Sequence, residues 1–193
     1  MKFYNTIFAA PVLELDIKIN NKKIIKALKQ MQKQNPGRVI SNAGGWQSEN
    51  LDPKLDIFKP LTKHIIEASI EFAKNCKFRH GKYSISNLWA NINNYRDYND
   101  LHIHQHAMIS GVYYLKAPKN CGNLVLRHPS QCIEYDWSKN KLTENIDYNS
   151  GLYNFVPKEG QLVLFPSWLE HFVRPNLNKT QERISIAFNI ALL

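Results

Sequence analysis

Three of the chain's seven histidines fall within five residues, in Asn99-Asp100-Leu101-His102-Ile103-His104-Gln105-His106. A β-branched and aromatic stretch, Ile109-Ser110-Gly111-Val112-Tyr113-Tyr114-Leu115, follows at once. On a strand, residues two apart share a face, so His102 and His104 can aim both imidazoles at one point, and His106 can join them if the strand persists. Converging imidazoles are the start of a site for a borderline transition metal. His171 comes about seventy residues later, in Pro166-Ser167-Trp168-Leu169-Glu170-His171, just after an apolar run where a second strand can complete the ligand set. Two other sets compete: Asp100 or another acid supplies an oxygen ligand, or the pair is His104 and His106. Surface or core histidines without a metal are the plainest alternative. We read His102, His104 and His171 as the ligands.

The elements that must carry these residues follow from periodicity. Residues 3–17 read as extended, with Phe8, Val12, Leu13 and Leu15 at strand-like spacing. Ile24, Ile25, Leu28 and Met31 recur at helical spacing over Asn21–Gln34, and Asn35-Pro36-Gly37 stops that helix. Residues 41–48 form a glycine-containing loop that lies over a site or caps a barrel end. A second amphipathic helix over residues 60–75 carries Leu61, Ile65, Ile66, Ala68, Ile70, Phe72 and Ala73 toward a sheet, with His64 structural.

From residue 83 on the chain reads as strands. Alternation puts Ile85, Asn87, Trp89, Asn91 and Asn93 on one face, the histidine strand runs through Leu115, and residues 123–127 make another strand. Residues 128–155 show no clear period and read as a surface loop or a cover over the substrate. Residues 161–165 are a buried strand. On the last strand Arg183, Ser185, Ala187 and Asn189 share one face, and Ile184, Ile186 and Phe188 the other. Helices over residues 20–76 backing some eight strands over 83–193 predict one mainly β domain, a jelly roll or double-stranded β-helix of cupin-like form with flanking helices.

A chain of 193 residues, 44% apolar and 21% charged, suits one globular domain. No stretch approaches a membrane span and no secretory signal is visible, so a cytoplasmic location is the default. Cys76, Cys121 and Cys132, an odd number without C-x-x-C spacing, read as reduced thiols. The net charge of +9 favours anionic ligands, yet its lysines are spread as on a solvated face. Nucleic acid has no aromatic and basic groove to support it. The oligomeric state stays open, a homodimer included.

The order His102-x-His104, then His171, then Arg183 twelve residues on resembles the iron(II)- and 2-oxoglutarate-dependent dioxygenases, whose β-helix carries H-x-D/E, a distal histidine and a basic residue. Ser110-Gly111-Val112-Tyr113-Tyr114, His171-Phe172-Val173-Arg174-Pro175 and Arg183-Ile184-Ser185 look like prolyl-hydroxylase elements. Residues 41–48 and Phe165-Pro166-Ser167-Trp168-Leu169-x-His171 are similar to oxygenases of marine bacteria and their phages. The resemblance implies Fe(II) on the three histidines and hydroxylation of an unidentified substrate coupled to conversion of 2-oxoglutarate to succinate and CO2. It further implies 2-oxoglutarate held by Arg183 with help from Ser185 and Tyr114, Asn91 or Asn93 on its chelating end, and Arg127, Trp168 and Trp46 toward the substrate. His104 departs from the pattern, standing where a carboxylate is expected. A cupin-type three-histidine dioxygenase without 2-oxoglutarate and a non-enzymatic jelly-roll binding module are the alternatives.

Overall fold

A strand that alternates apolar and polar residues needs a core on one side and something wet or polar on the other, and that division runs through this molecule. The computed structural model describes residues 2–3, 7–130, 132–137, 141–144, 146 and 149–193. Its elements are β1 (Leu13–Asp16), α1 (Asn21–Gln34), β2 (Asn42–Ala43), β3 (Trp46–Gln47), α2 (Lys59–Asn75), β4 (Tyr83–Asn93), β5 (Tyr98–His102) and β6 (Ile109–Lys116). After them come β7 (Leu124–Arg127), α3 (Cys132–Asp136), β8 (Leu152–Phe155), β9 (Gln161–Pro166), β10 (His171–Val173) and β11 (Arg183–Leu192). The strands form a large sheet, β1-β9-β6-β11-β4-β3, and a small one, β2-β5-β10-β7-β8, antiparallel throughout. This is the expected double-stranded β-helix. None of the described helices is long and apolar enough to cross a membrane.

Helices α1 and α2 cover one face of the large sheet. Ile24 and Leu28 of α1 and Leu61, Ile65 and Phe72 of α2 are buried in one cluster with Leu88, Ile92, Tyr113, Leu115, Ile184, Ile186 and Phe188. At about 25 cal/mol per Å² of apolar surface removed from water, this layer is the main source of cohesion. A smaller cluster, Leu124, Leu126, Phe155, Val163, Phe165 and Leu169, fills one end of the space between the sheets. In the rest of that space a cavity of about 430 Å³ opens, lined by polar side chains such as Asn91, Ser185 and Asn189 together with apolar ones such as Trp89, Val112 and Phe165.

Several details of the sequence reading change. The histidine stretch is not one strand: β5 ends at His102, and residues 103–108 cross to β6 on the opposite sheet. His106 sits in that crossing, exposed and with a left-handed backbone (φ 64°), so it takes no part in the cluster. On β4 the pairing slips between Ile85 and Asn87, which face Ile190 and Asn189 in turn. One extra residue reverses the alternation, and Ile85 therefore packs on the helix-side core while Asn87, Trp89 and Asn91 face the cavity. Residues 41–48 are two short strands, one in each sheet, and the stretch 128–155 contains α3 and the edge strand β8. Residues 131, 138–140, 145 and 147–148 of that last stretch lie outside the described residues. The described strands number eleven, the extra ones being short pieces of two to four residues with too few positions to show a period.

Candidate metal centre

Each histidine of the cluster reaches its place by a different route. His171 opens β10 and pairs directly with His102 at the end of β5, so two rings meet across neighbouring strands of the small sheet, 4.2 Å apart between centroids. His104 is beyond the strand. Its backbone N–H donates to the Ser167 carbonyl at 3.0 Å, which fastens residues 103–108 to the turn after β9. Its ring lies 5.1 Å from that of His102 and 4.9 Å from that of His171. The candidate ligand atoms of the three all lie within 4.8 Å of one another, and no other group of three such residues is found among the described residues. Asp100 supplies a backbone carbonyl to the site and no ligand.

The second ring nitrogen of each histidine is already engaged. His102 Nδ1–H donates to the Asp100 carbonyl at 2.6 Å, and His171 Nδ1–H donates to the Leu169 carbonyl at 2.9 Å. His104 Nδ1–H donates to Asn189 Oδ1 at 2.6 Å, with Ser110 Oγ 2.9 Å away. A proton on Nδ1 leaves Nε2 as a bare lone pair, which is the form a metal requires. Burial, and then the neighbouring rings, hold His171 down at about 3 and His104 down at about 4; burial also lowers His102. All three are neutral at physiological pH, and among the described residues no carboxylate joins them. Three neutral nitrogens on one side, with open space on the other, fit a divalent iron with vacant positions for small oxygen ligands.

Along the same face of β11, away from the histidines, lies Arg183. Only 2% exposed, it donates through Nη1 to the carbonyls of Cys121, Gly122 and Arg174, and no carboxylate forms an ion pair with it among the described residues. A buried cation whose hydrogen bonds go to neutral carbonyls, with the Asp97 carboxylate acting on it without a paired contact, is costly unless an anion joins it. Gly122 permits the arrangement: its φ is +90°, and a Cβ there would overlap the Arg174 carbonyl and come within 2.8 Å of Arg183 Nη1. Tyr114 and Ser185 line the cavity beside the guanidinium, and burial pushes the Tyr114 phenol far up, so it stays a neutral hydroxyl. A dicarboxylate with one end at the histidines and the other at Arg183 fits this layout.

The remaining site residues read from sequence divide. Asn91 lines the cavity, next to Ser185 in the β4–β11 pairing, and its Oδ1 is buried without a partner. Asn93 is also buried and unpartnered at Oδ1, but its side chain turns toward Gly45 and lies outside the cavity. Trp46 packs in the helix-side core with Nε1–H donating to the Asn35 carbonyl at 2.9 Å. Trp168 stands 53% exposed on the turn after β9, and Arg127 lines a separate cavity near Tyr153 and Phe155. None of these three borders the space between the histidines and Arg183. The indole that does is Trp89, its ring centroid 5.4 Å from that of His104. Period two on β4 puts Trp89 on the face of Asn91, and period two on β11 puts Asn189 on the face of Arg183. That Asn189 touches His104 is visible only in three dimensions.

A family model described as "putative 2OG-Fe(II) oxygenase" matches residues 87–189, more than half of the chain and every residue of the constellation just described. The chain belongs to the 2OG-Fe(II) oxygenase family. It is therefore an enzyme of that class, with Fe(II) and 2-oxoglutarate as its cofactors. A search among curated proteins gave no match. Solved structures share the fold at low identity. The viral collagen prolyl hydroxylase of Paramecium Bursaria Chlorella virus-1, in complex with 2-oxoglutarate, is 15% identical, with 94% of this chain and 96% of that one covered and a TM-score of 0.59. A prolyl-4-hydroxylase of Pseudomonas putida is 14% identical, with 92% and 91% covered and a TM-score of 0.59. HygX of Streptomyces hygroscopicus, with nickel and 2-oxoglutarate bound, is 11% identical, with 95% and 84% covered and a TM-score of 0.59. At these identities the likeness concerns this oxygenase's fold.

Proposed function

We propose that His102, His104 and His171 hold the iron through Nε2, that Arg183 with Ser185 and Tyr114 holds the far carboxylate of 2-oxoglutarate, and that the enzyme hydroxylates a C–H bond of a substrate reaching the cavity past residues 38–41 and 101–105. When bound, iron and 2-oxoglutarate supply the oxidation: O2 is consumed, 2-oxoglutarate leaves as succinate and CO2, and one oxygen atom enters the substrate. The chain's own residues bind, orient and exclude water. Arg183 offers a fixed guanidinium for a carboxylate, the Tyr114 hydroxyl donates without ionising, and the Asn91 amide, which lines the cavity, would bind the chelating end of the cosubstrate. Trp89 and Phe165 form apolar walls beside the histidines. The buried, anion-seeking Arg183 on the same strand face as the partner of His104 is the observation that carries the reading.

A second reading has its own support. Three neutral imidazoles, without the carboxylate of the family pattern, are also the ligand set of a cupin-type dioxygenase that needs no 2-oxoglutarate. Anaerobic titration with Fe(II) and then 2-oxoglutarate separates the two. The expected outcome is a weak visible charge-transfer band that saturates at one equivalent of each, followed by succinate on admission of air. Folded, iron-loaded protein with no band and no succinate would remove the first reading and favour the second.

A further inference from the structure

A carboxylate presents a lone pair to a metal whichever oxygen turns inward. An imidazole does so only in one of two tautomers and with one of two ring faces forward. Putting His104 where the family pattern has a carboxylate therefore calls for a device that fixes the ring. His102 and His171 are fixed by backbone carbonyls two residues before them in their own strands and turns. His104 lies off the strand, and its Nδ1 turns instead to the opposite sheet, to Asn189 Oδ1 and Ser110 Oγ. Those two residues face each other across the β11–β6 pairing, and the Ser110 hydroxyl donates to the same Oδ1 at 2.8 Å. Both are buried.

We infer that Asn189, steadied by Ser110, is a positioning residue that makes His104 a metal ligand. Oδ1 has two lone pairs, and it accepts from both the serine hydroxyl and the imidazole Nδ1–H. Turning the amide over would face Nδ2–H toward the ring. Nδ1 would then have to be the bare nitrogen, and the proton would sit on Nε2, pointing at His102 and His171 where the ion belongs. Amide orientation and ligation by His104 are thus one choice. With Ser110, Asn189 ties the ligand set to the large sheet, whereas His102 and His171 stand on strands of the small one.

The inference rests on the proposed ligand set, and the experiment keeps the two apart. The tautomer of His104 is read in metal-free protein by long-range ¹⁵N–¹H NMR, and Co(II) affinity is measured by competition with a chelator, in wild type and in the variants Asn189→Leu, Asn189→Ser, Asn189→Asp and His104→Ala. Wild type shows Nδ1–H at His104. Asn189→Leu, which cannot accept, and Asn189→Ser, which is too short to reach the ring and covers the case in which the leucine variant fails to fold, lose that signature and raise the Co(II) dissociation constant about 10- to 100-fold. Asn189→Asp, still an acceptor, keeps the tautomer and restores binding. A folded Asn189→Leu or Asn189→Ser protein with wild-type tautomer and affinity overturns the positioning role. If His104→Ala also binds Co(II) as wild type does, the ligand set itself is wrong; if it alone loses binding, only the role of Asn189 falls.

Discussion

At the scale of single residues the site is governed by what burial does to charge. Arg183 is a cation in a place where only an anion makes it comfortable, and its neighbours are arranged to leave room for one. Arg183→Gln should raise the dissociation constant of 2-oxoglutarate by roughly 10- to 100-fold, the worth of about 1.5–3 kcal/mol for hydrogen bonds to a charged group, in an equilibrium titration of the iron-loaded protein. Arg183→Lys should not rescue it, because one ammonium cannot reproduce a planar fork. The histidines make the opposite statement. Burial keeps His104 and His171 neutral down to about 4 and about 3, whereas in the unfolded chain an imidazole protonates near pH ~6.5. Between those values the unfolded state binds more protons than the folded one, so the histidines' share of the metal-free protein's stability falls as pH drops from about 6.5 toward 3 and levels off below. Urea midpoints measured across that range should show this slope, and replacement of both residues by Gln should flatten it.

At the scale of elements, β6 and β11 carry both halves of the problem, core on one face and chemistry on the other. Gly111 pairs with Phe188 across the two strands: a Cβ there would overlap the Phe188 ring and approach the Val163 carbonyl to 2.6 Å. Gly111→Ala should cost about 1–3 kcal/mol by overpacking, read as a lower urea midpoint. It should also weaken metal binding, because Ser110 is its neighbour in the chain. Strand identity in this region was legible beforehand: the alternation over 183–192 separates Arg183, Ser185, Ala187 and Asn189 from Ile184, Ile186 and Phe188 as the structure does. The slip on β4 was not, since a single extra residue leaves no mark in a period-two pattern of mixed polarity. Nor was the end of β5, because His-Ile-His-Gln-His alternates as well as any strand, and it is the bonds of His104 N–H to the Ser167 carbonyl and of Met108 N–H to the Ile190 carbonyl that take the chain elsewhere.

At the scale of the molecule, the proposed metal joins two layers. His102 and His171 belong to the small sheet, and His104 is tied to the large one through Asn189 and Ser110. An ion held by all three should stiffen the sandwich against opening. With free Co(II) at ~100 times its dissociation constant, linkage gives about 2.7 kcal/mol. For a chain of this size that is a rise of roughly 5–11 °C in melting temperature, at 2–4 °C per kcal/mol. A thermal scan of wild type should show the rise, and His104→Ala should abolish most of it.

The order of the chain by itself determined which residue types were available and on which side of each long strand they fall, because side-chain direction in a strand is set by counting. It yielded the three histidines, the arginine face and the helical backing. Tertiary structure decided what counting cannot reach. It chose Trp89 over Trp46 and Trp168 for the cavity, left His106 outside, and brought Asn189 to His104 across 85 residues. Those choices depend on where strands end and which sheet a crossing joins, and these are settled by hydrogen bonds between segments that have no local signature.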